Sequence, residues 1–212
     1  MKRLVFAPHA ADETMGCGGV LAKYDDVVVC VAAAMEEQRE KEFAAAMGVL
    51  GVPESHRVAL GWPDGSVGEH PKELVSIFDR VVESVKPDVV YVPFPSMHQD
   101  HIAVYEAGIR ACRTSMSGHW SPAAVLVYDD VAYDMQLYPT DVRWNRVEAL
   151  DGAEIDAKVE AMNCYGSQLP SQEEHPALAM KDNARALGSA HGVTYGERFG
   201  AVSYTHLRAH ET

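Results

Sequence analysis

Short apolar runs alternate with longer amphipathic segments along most of the chain. The run "RLVFA" predicts a first strand, and "GGVLAKY" predicts a helix after its loop. "DVVVCVAAA" (26–34) is a continuous β-branched run, the pattern of a strand buried on both faces. "EEQREKEFAAAMGVLGV" predicts an amphipathic helix, Glu-rich at its start and ending at Gly51. A short strand (57–60), a helix (71–85), a buried strand "DVVYVPF" (88–94), a helix (101–113) and a strand (123–129) follow. Later segments predict a strand around Val142–Val147 and helices over Ile155–Tyr165 and Pro176–Leu187.

Alternation of strand and helix implies parallel strands joined by right-handed crossovers. The expected fold is therefore α/β, a Rossmann-like doubly wound and mostly parallel sheet of order 3-2-1-4-5, with helices on both faces. Where that order reverses, the loops leaving the first and fourth strands diverge and open a crevice. Those loops are "PHAADE" and "PSMHQDH". They lie about 90 residues apart in sequence, yet the switch point brings them face to face.

Composition narrows the class. The 212 residues are 47% hydrophobic, which suits one domain with a real core. A formal charge of −13 argues against a nucleic-acid partner. No run approaches the roughly 20 apolar residues of a membrane span, and the start "MKRLVFAPH" does not read as a signal peptide. Cys17, Cys30, Cys112 and Cys164 are scattered without paired spacing, as expected of buried thiols in a reducing cytoplasm. The closing "VSYTHLRAHET" (202–212) resembles one reading frame of a transposon-type sequencing adapter. Residues 1–201 are thus expected to form the domain and 202–212 a non-native tail, so His206 and His210 are not counted as ligands.

The chemistry concentrates in the two loops. His9, Asp12 and His101 offer two imidazole nitrogens and one carboxylate, a donor set for zinc that leaves a position open for water. Such a metal lowers the pKa of water and polarises a carbonyl. His98 and Asp100 adjoin His101, and a His held by a carboxylate can move a proton or stabilise charge. "GCGG" lacks the spacing of a dinucleotide fingerprint and the Lys of a P-loop, so its glycines read as close helix packing. A nucleotide-binding domain is disfavoured for the same reason.

With these motifs in hand, the chain resembles the PIG-L/LmbE-like family of zinc-dependent N-deacetylases, which act mostly on N-acetylglucosamine-containing compounds. "PHAADETMGCGG" matches the family's His-(Pro/Ala)-Asp-Asp-Glu motif and glycine-rich turn, and "HQDH" its His-x-Asp-His motif. Arg39 and Glu42 match an Arg-x-x-Glu helix, and "GWPDG" a Gly-x-x-Asp-Gly turn whose Asp64 reads as a turn residue. "KVEAMNCYGSQ" and "YGERF" match closing segments. The resemblance implies that His9, Asp12 and His101 hold zinc, with iron(II) as the alternative, and that His98 and Asp100 assist. It also implies that Arg39 holds a substrate hydroxyl or phosphate. Tyr165 or His175, flanking "GSQLPSQEE", is expected at the substrate side of the pocket. The partner is a small N-acetylated molecule, and a homo-oligomer stays open.

One position departs from the pattern. The family's general-base Asp stands here as Ala11. General-base catalysis is worth about 10²–10⁴-fold, so a slow enzyme is expected. An inactivating natural or engineered change, a read error, and His98 acting as base all fit. A metal- and sugar-binding member without turnover is the rival reading.

Overall fold

The computed structural model describes residues 1–114, 117–129, 141–168 and 176–204. Strands β1 (Arg3–Ala7), β2 (Val27–Ala33), β3 (Arg57–Trp62), β4 (Val89–Pro93) and β5 (Ala124–Tyr128) alternate with helices α1 (Asp12–Lys23), α2 (Glu37–Val49), α3 (Pro71–Val85) and α4 (Gln99–Ala111). Then come β6 (Trp144–Leu150), α5 (Gly152–Asn163), α6 (Pro176–Ala190) and β7 (Tyr195–Tyr204).

Alternate residues of each strand feed opposite cores, which is why the strand sequences read as unbroken apolar runs. Val5 and Ala7 of β1 join a core with Met15, Val20 and Leu21 of α1 and Phe43 of α2. Leu4 and Phe6 point the other way, into a core with Phe78 of α3 and Val104 and Ala107 of α4. The helices that follow β1 and β4 therefore leave on opposite faces of the sheet. That parting at two neighbouring strands creates the crevice at their carboxyl ends.

The sheet corrects one expectation. Among the described residues it has seven strands in the order β3-β2-β1-β4-β5-β7-β6 and is mixed rather than mostly parallel. The five parallel strands keep the expected neighbours, but β7 lies antiparallel between β5 and β6. Strand β7 escaped the hydrophobic pattern because its charged residues are paired by tertiary contacts. Glu197, 5% exposed, meets Lys158 of α5 and accepts the backbone N–H groups of Gly19 and Val20 in α1. Arg198 meets Asp129 at the end of β5. β7 runs three residues past Ala201, setting Ser203 opposite Val125 and Tyr204 opposite Ala124. Residues 205–212, with His206 and His210, lie outside the described residues.

The glycines of α1 fit the close-packing expectation. A Cβ on Gly16 would stand 2.0 Å from the Tyr128 ring, and one on Gly19 would stand 2.3 Å from Leu150. Tyr128 is fully buried and its hydroxyl donates to the Phe6 carbonyl at 3.0 Å, so the ring cannot step aside freely. Gly16→Ala should therefore destabilise the fold by about 1–3 kcal/mol through overpacking, read as a lowered denaturation midpoint. Unchanged stability would mean that α1 does not press on β5.

Candidate metal centre

Helix α1 begins at Asp12, directly after the loop that leaves β1, and α4 begins at Gln99, one residue after His98. Asp12 and His101 thus project from first helical turns, while His9 sits on the intervening loop. Asp12 Oδ2 lies 3.3 Å from His9 Nδ1 and 3.4 Å from His101 Nε2. All three ligand atoms fall within 4.8 Å of one another. Donors about 2.1 Å from one tetrahedral zinc stand roughly 3.4 Å apart, so these separations suit a single ion. The residues present fit the group.

The other nitrogen of His9 is held from behind. Its Nε2 lies 3.1 Å from Asp100 Oδ2 and 3.0 Å from Asp64 Oδ1. Asp100 is fully buried and also accepts the backbone N–H groups of Gly65 and Val67, at 2.8 and 3.1 Å. A carboxylate behind a ligating imidazole fixes the ring and its tautomer, leaving Nδ1 as the metal-facing atom. The expected His98–Asp100 pair is arranged differently from a carboxylate-held imidazole. His98 caps α4, and its Nδ1 accepts the backbone N–H of Asp100 at 3.2 Å. With Nδ1 accepting, the ring carries its proton on Nε2. His9, Asp64, His98 and Asp100 also cluster as potential ligands. That group fits a metal less well, because His98 would have to bind through its remaining nitrogen, which bears the proton while Nδ1 accepts a backbone N–H.

Electrostatics follow from this layout. Burial opposes charge on His9, but the carboxylates of Asp12, Asp100 and Asp64 outweigh it and push the ring up to about 9. Burial also works against the Asp12 carboxylate, yet His101 and His9 hold it below its ordinary value. His101 is held down, first by burial and then by neighbouring His9 and His98, against the pull of Asp12.

Two expected substrate contacts make hydrogen bonds within the protein. Tyr165 is fully buried, and its hydroxyl donates to Glu13 Oε1 at 2.6 Å. Arg39 spends Nη1 on the Ala10 carbonyl at 3.0 Å and Nη2 on Ser167 Oγ at 3.2 Å. Its Nε faces Glu42 at 3.3 Å. Glu13 was legible only as part of the loop motif, and its structural partners gave no sequence signal. Burial raises its carboxyl, with Tyr165, Thr14 and the Ala11 N–H pulling the other way. Ala11 occupies the N-cap of α1 with φ 111° and ψ −29°, a left-handed backbone that costs a non-glycine residue energy. His175 lies outside the described residues.

Residues 4–112 match the family model described as PIG-L, GlcNAc-PI de-N-acetylase. The chain belongs to the PIG-L family. An Escherichia coli (strain K12) protein named uncharacterized deacetylase YaiS is 26% identical over 143 residues, covering 59% of this chain and 76% of the relative. The conserved protein TT1542 from Thermus thermophilus superposes with a TM-score of 0.75 at 25% identity, over 98% of this chain and 97% of that one. N,N'-diacetylchitobiose deacetylase from Pyrococcus horikoshii gives 0.71 at 21% identity, over 95% and 83%. This PIG-L chain carries the deacetylase family's fold with a His/Asp group able to hold a metal at its switch point.

The His9 environment predicts a pH dependence of the metal-free protein. A ring whose value rises from 6.5 to about 9 on folding binds its proton more tightly in the native state. Its stabilisation is complete below the unfolded value and is lost as pH climbs through the folded one. The melting temperature of the metal-free protein should fall between pH 6.5 and about 9. A flat profile across that window in calorimetry would contradict the carboxylate cage around His9.

Proposed function

We propose that this chain is a zinc-dependent amidohydrolase that removes an acetyl group from an N-acetylated sugar of the N-acetylglucosamine type, slowed by alanine at residue 11. Iron(II) is the alternative ion. The observation that carries the reading is the pair of 3.3 and 3.4 Å separations that centre Asp12 Oδ2 between two imidazole nitrogens. The family description names GlcNAc-PI, and the Pyrococcus protein is by name a deacetylase of a di-N-acetylated sugar. Both support the substrate class. A homo-oligomer is compatible with this reading. Buried free thiols at Cys17, Cys30 and Cys112 support a cytoplasmic location. Among the described residues no helix is long and apolar enough to cross a membrane.

When bound, zinc supplies Lewis acidity, lowering the pKa of water and polarising a carbonyl. His9 Nδ1, Asp12 Oδ2 and His101 Nε2 would hold the ion, and Asp100 keeps the His9 ring in register. His98, with Nδ1 satisfied by a backbone N–H, offers the proton on Nε2. That proton suits a donor to a developing oxyanion or a departing amine, and it disfavours His98 as the group that takes a proton from water. The proton that hydrolysis takes from water has no side-chain acceptor at residue 11, where a methyl group stands in place of a carboxylate, so it must pass to solvent and the reaction is slow. The rival reading, a metal- and sugar-binding member without turnover, draws on that same methyl group.

Ala11→Asp should raise the deacetylation rate of N-acetylglucosamine derivatives by at least about 10²-fold, the low end for a restored general base. Zinc affinity should change far less, because Asp12 supplies the ligand oxygen. Equal rates in the two proteins would move the base elsewhere. No hydrolysis by either, with zinc bound, would reject the substrate class.

A further inference from the structure

The left-handed backbone at Ala11 is held by contacts that converge on one peptide unit. The carbonyl of Ala10 and the N–H of Ala11 belong to the same peptide plane. The carbonyl accepts from Arg39 Nη1 at 3.0 Å, and the N–H donates to Glu13 Oε2 at 3.1 Å. Orientation of that plane sets φ at residue 11. It thereby sets the direction in which the residue-11 side chain leaves the loop, between ligands His9 and Asp12.

Both grips are anchored in one short turn. Tyr165 donates its hydroxyl to Glu13 Oε1 at 2.6 Å, and Thr14 donates to the same oxygen at 2.7 Å. Two residues on, Ser167 Oγ accepts from Arg39 Nη2 at 3.2 Å. Ser167 also donates its N–H and its hydroxyl to Glu42, at 2.9 and 2.6 Å. Gly166–Gln168 forms a single 3-10 turn directly after Tyr165. The segment 165–168, remote in sequence from the metal loop, thus holds both ends of one of its peptide bonds.

We propose that Tyr165, Glu13, Arg39 and Ser167 form a peptide clamp: positioning residues that fix the Ala10–Ala11 plane and aim side chain 11 at the reaction centre. Released, the plane would rotate to relieve the left-handed backbone, and a carboxylate at residue 11 would swing out of line. In the chain as it stands the clamp aims a methyl group. The machinery for placing a base persists where the base does not.

Two measurements test the clamp, and only the second rests on the hydrolase reading. In metal-free protein, Tyr165→Phe should speed amide exchange at residue 11 by about 10-fold or more, while amides of β1 and α2 stay protected. Faster exchange at all of these amides together would make Tyr165 a packing residue and overturn the clamp, as would unchanged exchange at residue 11. In the zinc-loaded Ala11→Asp protein, adding Tyr165→Phe should lower kcat by about 10-fold with KM within about 2-fold, the sign of a misaimed base. A raised KM with unchanged kcat would mean that Tyr165 touches substrate and would refute the assignment. Ser167→Ala, on an exposed turn, repeats both measurements through the Arg39 arm should Tyr165→Phe fail to fold. If Ala11→Asp itself hydrolyses nothing, the substrate reading fails and the exchange result alone decides the clamp.

Discussion

The site depends on one buried charge. Asp12 is 4% exposed, at the start of a helix packed into the core, and an isolated carboxylate there would be costly. Its compensation comes from the His9 backbone N–H, which donates to Oδ2 at 2.9 Å, and from two imidazoles, one on its own loop and one delivered from across the sheet by α4. Hydrogen-bonding and imidazole groups must gather at Oδ2, and the elements placed to bring them are the loops leaving β1 and β4. The switch point of the sheet is therefore what makes a charge at residue 12 tolerable. The same arrangement makes the locus attractive to a divalent cation.

Around that charge the molecule builds outward in layers of decreasing chemical and increasing mechanical character. Asp100, itself held by two backbone N–H groups of the 65–67 turn, steadies His9. Glu13 and Arg39 steady the peptide between the ligands, and the 165–168 turn steadies both. Polar groups buried in this way carry stability only while every partner is in place. Precise geometry and a satisfied interior are consequently the same requirement here. The glycine-lined face of α1 extends that requirement into the core, letting the helix that bears Asp12 sit against Tyr128, Lys158 and Leu150.

Much of this was legible in the sequence because its physics is local or periodic. The continuous apolar runs gave the five parallel strands and their neighbours, and topology then brought His9, Asp12 and His101 together. What stayed hidden depends on pairing between distant residues. Strand β7 carries Glu197 and Arg198 at buried or half-buried positions, and only Lys158 and Asp129 make those charges acceptable in a strand. Asp100 reads from sequence as the partner of its neighbour His98, but its carboxylate turns to His9, 91 residues away. Tyr165 and Arg39 read as substrate contacts because motifs mark them, whereas their atoms are engaged with Glu13, Ala10 and Ser167. Motif spacing marked the candidate residues, and hydrogen-bond direction shows what each one holds.

The central claim is that His9 Nδ1, Asp12 Oδ2 and His101 Nε2 bind one zinc ion at the β1/β4 switch point. Anomalous diffraction at the zinc edge from zinc-equilibrated crystals tests it most directly. The account predicts one strong peak about 2.0–2.2 Å from each of those three atoms. A peak instead on the Nε2 side of His9, among Asp64, His98 and Asp100, or no peak at this end of the sheet, would contradict it.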